Sequence, residues 1–177
     1  MPPRLSVKSR SIRVDKPTSE MAQAEQLARA FRLEDKPGFL LRRLDARATL
    51  LYHKVTGQTD LTPRQFGVLL TLFQNEHITL TDLSQRIRID KSTLGEMVQR
   101  MIDRGLVRRR LSVADRRSSE VSLSAAGRAA LLTTIRQAEA AQQALLEPLP
   151  DEYRSLFLKC LGILADADQD SLDPAQG

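Results

Sequence analysis

Residues Thr81–Gly127 read TDLSQRIRIDKSTLGEMVQRMIDRGLVRRRLSVADRRSSEVSLSAAG, and their order decides the fold. Two short runs with helical period, one around Leu83 and Ile87 and one from Lys91, precede two runs with strand character, Leu106–Val113 and Ser118–Leu123. A tight link at Arg88-Ile89 joins the helical runs. The loop between the strands carries Asp115-Arg116-Arg117. Helix, tight link, helix and basic hairpin is the order of a winged helix-turn-helix.

The second helix is the informative one. Asp90 is its predicted N-cap and Gly105 its stop, so it spans Lys91 to about Arg104. On a helical wheel Leu94, Met97, Val98, Met101 and Ile102 fall on one side. Ser92, Glu96, Gln99 and Arg100 fall on the other, with Thr93 at the edge. The major groove of duplex DNA admits one helix, and the N-terminal residues approach the bases first. Lys91, Ser92 and Thr93 are therefore candidate DNA contacts, helped by the affinity of a helix N-terminus for phosphate. Gln99 and Arg100 follow along the same face. Glu96 repels phosphate, so it fits only opposite a base amino group or a neighbouring arginine.

In the hairpin, Arg108, Arg109, Arg110, Arg116 and Arg117 crowd together, opposed there only by Asp115. Like charges on adjacent strands are unfavourable without an anion, and a duplex supplies one. Arg110 is a candidate contact, and Arg116 and Arg117 suit a minor groove. Asp115 is read as orienting one of them through a forked ion pair.

Outward from this segment the chain reads as helical. Met21–Leu33 has helical character, with Leu27, Ala30 and Phe31 on one side, and Lys36-Pro37-Gly38 then breaks the chain. Phe39–Thr56 carries a stripe of Leu40, Leu41, Leu44, Ala48, Leu51 and Val55, closed by Gly57. Thr62-Pro63-Arg64-Gln65 is a capping box that opens a helix bearing Phe66, Leu69, Leu70 and Phe73. Thr79 caps the short helix around Leu83. Ser124 caps a long helix to about Leu146, with Leu131, Ile135, Ala138 and Leu145 at near-heptad spacing interrupted by Gln142. A last helix, Asp151 to about Asp166, turns Phe157, Cys160, Leu161 and Leu164 inward. The fold class is mainly α with a small β-hairpin wing. The predicted domains are a basic N-terminal extension (1–36), a helical dimerisation region (37–60 and 124–168), a winged helix-turn-helix (61–123) and a tail (169–177).

Composition narrows the function. The 177 residues carry a net charge of +5, which favours polyanionic partners. Aromatics make up 4% with no Trp, too few for base-stacking platforms. The single Cys160 allows no intramolecular disulfide and no multi-thiolate metal site, and is read as a core residue of the last helix. His53 and His77 form no zinc signature with the scattered carboxylates. There is no Gly-rich phosphate loop and no nucleophile beside a base, so an enzyme is not expected, and no cofactor or metal is assigned. No apolar run suits a membrane span or a secretory signal, so the expected location is cytoplasmic.

In motif order and spacing the chain resembles the MarR family of bacterial transcription regulators, from about Phe39 to Ala167. The carrying residues are Leu61-Thr62-Pro63-Arg64-Gln65-Phe66, Asp90-Lys91-Ser92-Thr93, Arg104-Gly105-Leu106-Val107, Asp115-Arg116-Arg117 and Val121-Ser122-Leu123-Ser124-Ala125-Ala126-Gly127. The extension before Lys36 is longer than the family's usual N-terminus. The resemblance implies a homodimer built from the first and last two helices, addressing the two halves of a pseudopalindromic duplex. Half-sites would then lie about one helical turn, ~34 Å, apart. Apolar stripes on either side of the winged segment, belonging to no winged-helix core, independently ask for a second copy.

The resemblance also implies a small-molecule effector, held where the dimerisation helices meet the winged domain. Candidate linings are Phe39, Arg42, Arg43, Tyr52, His53, Phe66 and Leu69. Gly38–Arg43 resembles the branch controlling aromatic-acid catabolism, which implies an aromatic carboxylate or its CoA thioester as effector. Arg42 or Arg43 could grip the anion in a fork; both could equally be solvated or touch DNA. The expected function is thus a ligand-released repressor of a catabolic operon. Alternatives are a sequence-tolerant architectural DNA-binding protein, or a redox-sensing regulator using Cys160.

Overall fold

A computed structural model describes residues 19–57, 59–111 and 119–167. The expectations for Asp115, Arg116 and Arg117, for residues 1–18 and for the tail fall outside them. The chain divides into two units, Met1–Arg43 and Leu44–Gly177.

The described elements run in the order α1 (Ser19–Ala30), α2 (Pro37–Thr56), α3 (Pro63–Gln74), β1 (Ile78–Thr79), α4 (Leu80–Ile87), α5 (Lys91–Asp103), β2 (Val107–Leu111), β3 (Ser119–Leu123), α6 (Ala125–Leu146) and α7 (Asp151–Ala165). The first unit holds α1, a single 3₁₀ turn at Leu33–Asp35 and the start of α2. Pro37 does not break the chain as expected. It is the first residue of α2, where its missing N–H costs nothing and its fixed φ suits a helix. In this unit Lys36 lies over the Phe31 ring at 4.4 Å, and Arg43 over the Phe39 ring at 5.8 Å.

In the second unit, the caps fall where local chemistry places them. Thr62 Oγ1 accepts the Gln65 N–H while Gln65 Oε1 accepts the Thr62 N–H, completing the capping box of α3. Thr79, Asp90 and Ser124 cap α4, α5 and α6, each side chain accepting the backbone N–H three residues on. β2 and β3 pair antiparallel, and β1 adds to the far side of β3, giving the order β1-β3-β2. β1 escapes the sequence because two residues show no alternation.

Two cores result. The larger joins Val68, Leu69 and Leu72 of α3, Leu83 of α4, Leu94, Val98 and Met101 of α5, Val107 and Val121 of the sheet and Leu131 of α6. The smaller joins Tyr52 of α2 to Ala138 and Ala141 of α6, with Val55 and Phe66 against them.

α7 has no buried residue. Cys160 is exposed, and Leu164 is 66% exposed, against the inward placement expected for both. Helical period marks an apolar stripe but does not supply an element to cover it. Phe157 and Leu161 of the same stripe are half-buried.

Candidate nucleic-acid interface and effector cavity

α5 is presented by the turn that precedes it. Arg88 adopts the left-handed conformation at φ 53°, and Ser84 Oγ donates to the Ile89 carbonyl at 2.7 Å, closing the link between α4 and α5. Asp90 then accepts the Thr93 N–H at 2.8 Å. The Thr93 hydroxyl and then its N–H hold the Asp90 carboxyl below the ordinary carboxylate range. One expectation is modified here. The N-terminus of α5, expected to favour phosphate, is already occupied by the Asp90 carboxylate.

Behind the polar face, Leu94, Met97, Val98 and Met101 are buried. Ser92, Glu96, Gln99 and Arg100 are exposed on the side the wheel assigns them, with Thr93 at its edge, and Lys91 is exposed at the helix start. Glu96 has a neighbouring arginine: Arg100 lies 3.8 Å from it. Gln99 Nε2 donates to Asp103 at 2.9 Å. One of its two amide N–H groups is thereby engaged, while the second N–H and Oε1 remain on the exposed face.

The wing is locked to α6 at its root. Gly105, at φ 71°, donates to the Ile102 carbonyl, and Leu106 N–H donates to the Met101 carbonyl; together these form a Schellman stop for α5. Ser124 Oγ donates to the Gly105 carbonyl at 2.6 Å and accepts the Gly127 N–H at 2.9 Å. A Cβ at Gly127 would collide with the Leu106 carbonyl oxygen, so only glycine admits this approach.

Cross-strand register corrects the charge reading of the hairpin. Arg110 stands opposite Glu120 and pairs with it at 3.3 Å, so Asp115 is not the only counter-charge. The sequence separates these residues by ten positions, and only the register brings them together. Arg108 and Arg109 are exposed and make no ion pair among the described residues. Arg104, at the C-cap of α5, reaches Gln65 Oε1 at 3.5 Å and Asp60 at 4.0 Å, joining α5 to the start of α3.

A cavity of about 260 Å³ lies between α2, α3 and α6, lined by Tyr52, Pro63, Phe66, Leu70, Ile135, Ala138, Glu139 and Gln142. Tyr52 and Phe66 are thus brought together as expected, with ring centroids 6.1 Å apart. Leu69 is corrected: it is fully buried in the larger core, because its position on α3 turns it toward Leu83 and Leu94 while Phe66 and Leu70, one turn apart, face the cavity. His53 is exposed and packs edge-on against Tyr52 outside the cavity lining. Phe39, Arg42 and Arg43 belong to the first unit, and Arg42 and Arg43 are exposed.

The Tyr52 side chain is 2% exposed. Burial raises the pKa of its phenol, the Thr59 hydroxyl opposing the shift, yet neither hydroxyl makes a hydrogen bond of ordinary geometry. Sequence reasoning missed the α6 wall. Its signal was Gln142, which breaks the apolar line and shares a stripe with Ile135, Ala138 and Glu139.

The sequence profile of the MarR family matches residues 61–119. The chain is similar to the transcriptional regulator HosA of Escherichia coli O127:H6, with 34% identity over 100 residues, covering 56% of this chain and 74% of that protein. It is similar to the organic hydroperoxide resistance transcriptional regulator of Bacillus subtilis, with 31% identity over 96 residues, 54% of this chain. That match spans 65% of the Bacillus protein, a little under two thirds. Among solved structures it resembles BpsR of Bordetella bronchiseptica, whose DNA binding is regulated by 6-hydroxynicotinic acid, with a TM-score of 0.74, 28% identity and 78% of this chain covering 99% of that one. Taken with the capped helix α5 and the wing root that carries the hairpin, these likenesses place the chain in the MarR family: it is a transcriptional regulator, not an enzyme.

Proposed function

We infer that the chain is a sequence-reading repressor that binds a pseudopalindromic duplex as a homodimer and lets go when an aromatic acid enters the cavity beside Tyr52. The observation carrying the DNA reading is the exposed face of α5, held at its start by Asp90 and backed by the core. Its mixed chemistry, with the Gln99 acceptor beside the Glu96–Arg100 pair, suits base reading better than indiscriminate coating. A second copy would cover large apolar side chains left open, among them Leu50, Leu132, Ile163 and Leu164.

The effector reading rests on the cavity. Its aromatic walls suit a ring, and its volume is below the ~300–1,000 Å³ usual for drug-sized ligands, so a single substituted ring fits better than a whole CoA thioester. Glu139 on the wall turns a ligand carboxylate away from itself. BpsR responds to an aromatic carboxylic acid of this size class. In a catabolic setting such a molecule would be the inducing substrate of the operon. Gel-shift titration against genomic fragments, repeated with aromatic acids and aryl-CoA thioesters, tests this. Release by an aromatic acid is expected; release by none of them overturns the effector reading.

A second reading, release by oxidants, is favoured by the exposure of Cys160. Peroxide treatment of wild type and Cys160→Ser separates the two readings: loss of DNA binding in the wild type alone supports oxidation as the trigger.

A further inference from the structure

We propose that a cleft at the root of the wing is a binding site for a soluble phosphoryl or carboxylate anion, separate from both the recognition surface and the Tyr52 cavity. The cleft, of about 510 Å³, opens between the end of α3, the strands β2 and β3 and the first turn of α6. Four arginines line it: Arg108, Arg109, Arg110 and Arg128. Among the described residues, Glu76 is the only acidic one on its wall. Arg110 is already neutralised by Glu120. The other three guanidinium groups make no ion pair among the described residues, so the cleft keeps an excess of positive charge.

Unpaired arginines on a surface are commonly just solvated. One of these is held in place instead. Arg128 lies over the Phe73 ring, 4.7 Å from its centroid, which fixes the guanidinium plane and leaves its N–H edges open. Arg108 stands on β2 directly opposite Ser122, which also lines the cleft. His77 stands at the wall in a left-handed conformation, φ 59°, that few non-glycine residues adopt. The Ala125 N–H, in the first turn of α6, has no intrahelical acceptor and adds a weak positive end to the same wall. Leu72 and Leu123 supply apolar flooring. An anion with a small apolar body matches this lining.

The anion could come from a DNA backbone or from solution. The soluble source is favoured because Lys91, Ser92, Thr93, Glu96, Gln99 and Arg100 are all absent from the lining, and Arg110, the one candidate DNA contact on it, is paired with Glu120. Binding there would bridge β2 to α6 and stiffen the wing root, so occupancy would alter how the hairpin meets a duplex.

Calorimetric titration of the full chain with inorganic phosphate tests this, using wild type, Arg108→Gln, Arg128→Gln and, as a control outside the cleft, Arg136→Gln. Saturable binding is expected in the wild type and the control, weakened roughly tenfold or more in each cleft variant. Arg128→Lys keeps the charge and should retain part of the affinity, which separates loss of the site from loss of the fold. Absence of saturable binding, or equal weakening in Arg136→Gln, overturns the proposal. The salt dependence of binding to a random duplex distinguishes the sources. An unchanged slope in the cleft variants supports a soluble ligand. A slope reduced by about 0.9 for each arginine, without phosphate binding, makes them DNA contacts and overturns it. The phosphate arm needs no operator or effector, so its failure leaves the proposed repressor function untouched.

Discussion

Two residues concentrate the argument at the smallest scale. Tyr52 buries a hydroxyl that makes no hydrogen bond of ordinary geometry among the described residues, an arrangement that costs stability. Tyr52→Phe should therefore leave the melting temperature unchanged or raise it. Thermal melts read the effect; a lowered melting temperature would show that the hydroxyl makes a stabilising contact. Asp90 behaves oppositely, since every hydrogen bond it makes favours its charged form. Its folded pKa lies below the ordinary 3.8, so its stabilisation is complete above that value and declines as pH falls through the depressed one. Asp90→Ala should lower the melting temperature at neutral pH. Asp90→Asn should retain the cap, and its deficit against wild type should shrink as the pH falls into the acid range.

At the scale of elements, the root of the wing is the joint that cannot be loosened. Gly127→Ala drives a methyl group into the Leu106 carbonyl and should cost about 1–3 kcal/mol or more, read by chemical denaturation. Such features were legible because they are local. Thr62 with Gln65, Thr79, Asp90, Ser124 and the Gly105 stop are each decided within a few residues of chain, and each helix starts or ends where its cap lies. What was hidden depends on register or on tertiary contact. The Arg110–Glu120 pair needs strand alignment, the Arg128–Phe73 contact needs α3 against α6, and β1 needs β3 to pair with. Cys160 was misplaced for the same reason: a stripe on a wheel does not reveal whether anything lies over it.

For the whole molecule, the account is that a rigid winged core presents the exposed face of α5 to a duplex, with a second copy providing symmetry. Sedimentation should show a dimer, because α7 and the open apolar side chains of α2 and α6 have no cover among the described residues of a single chain; a monomer at micromolar concentration would leave those faces unexplained. The fold-level part of this was readable from motif order, and the α2–α3–α6 cavity was not, since its walls are distant in sequence. The most direct test is a fluorescence-anisotropy comparison, at one fixed salt concentration, of a selected genomic operator against a scrambled duplex, for wild type and Gln99→Ala. The account expects a preference of roughly 10³ or more for the operator, and a loss of about 1–3 kcal/mol in Gln99→Ala on the operator alone. Equal affinity of the wild type for both duplexes would contradict it.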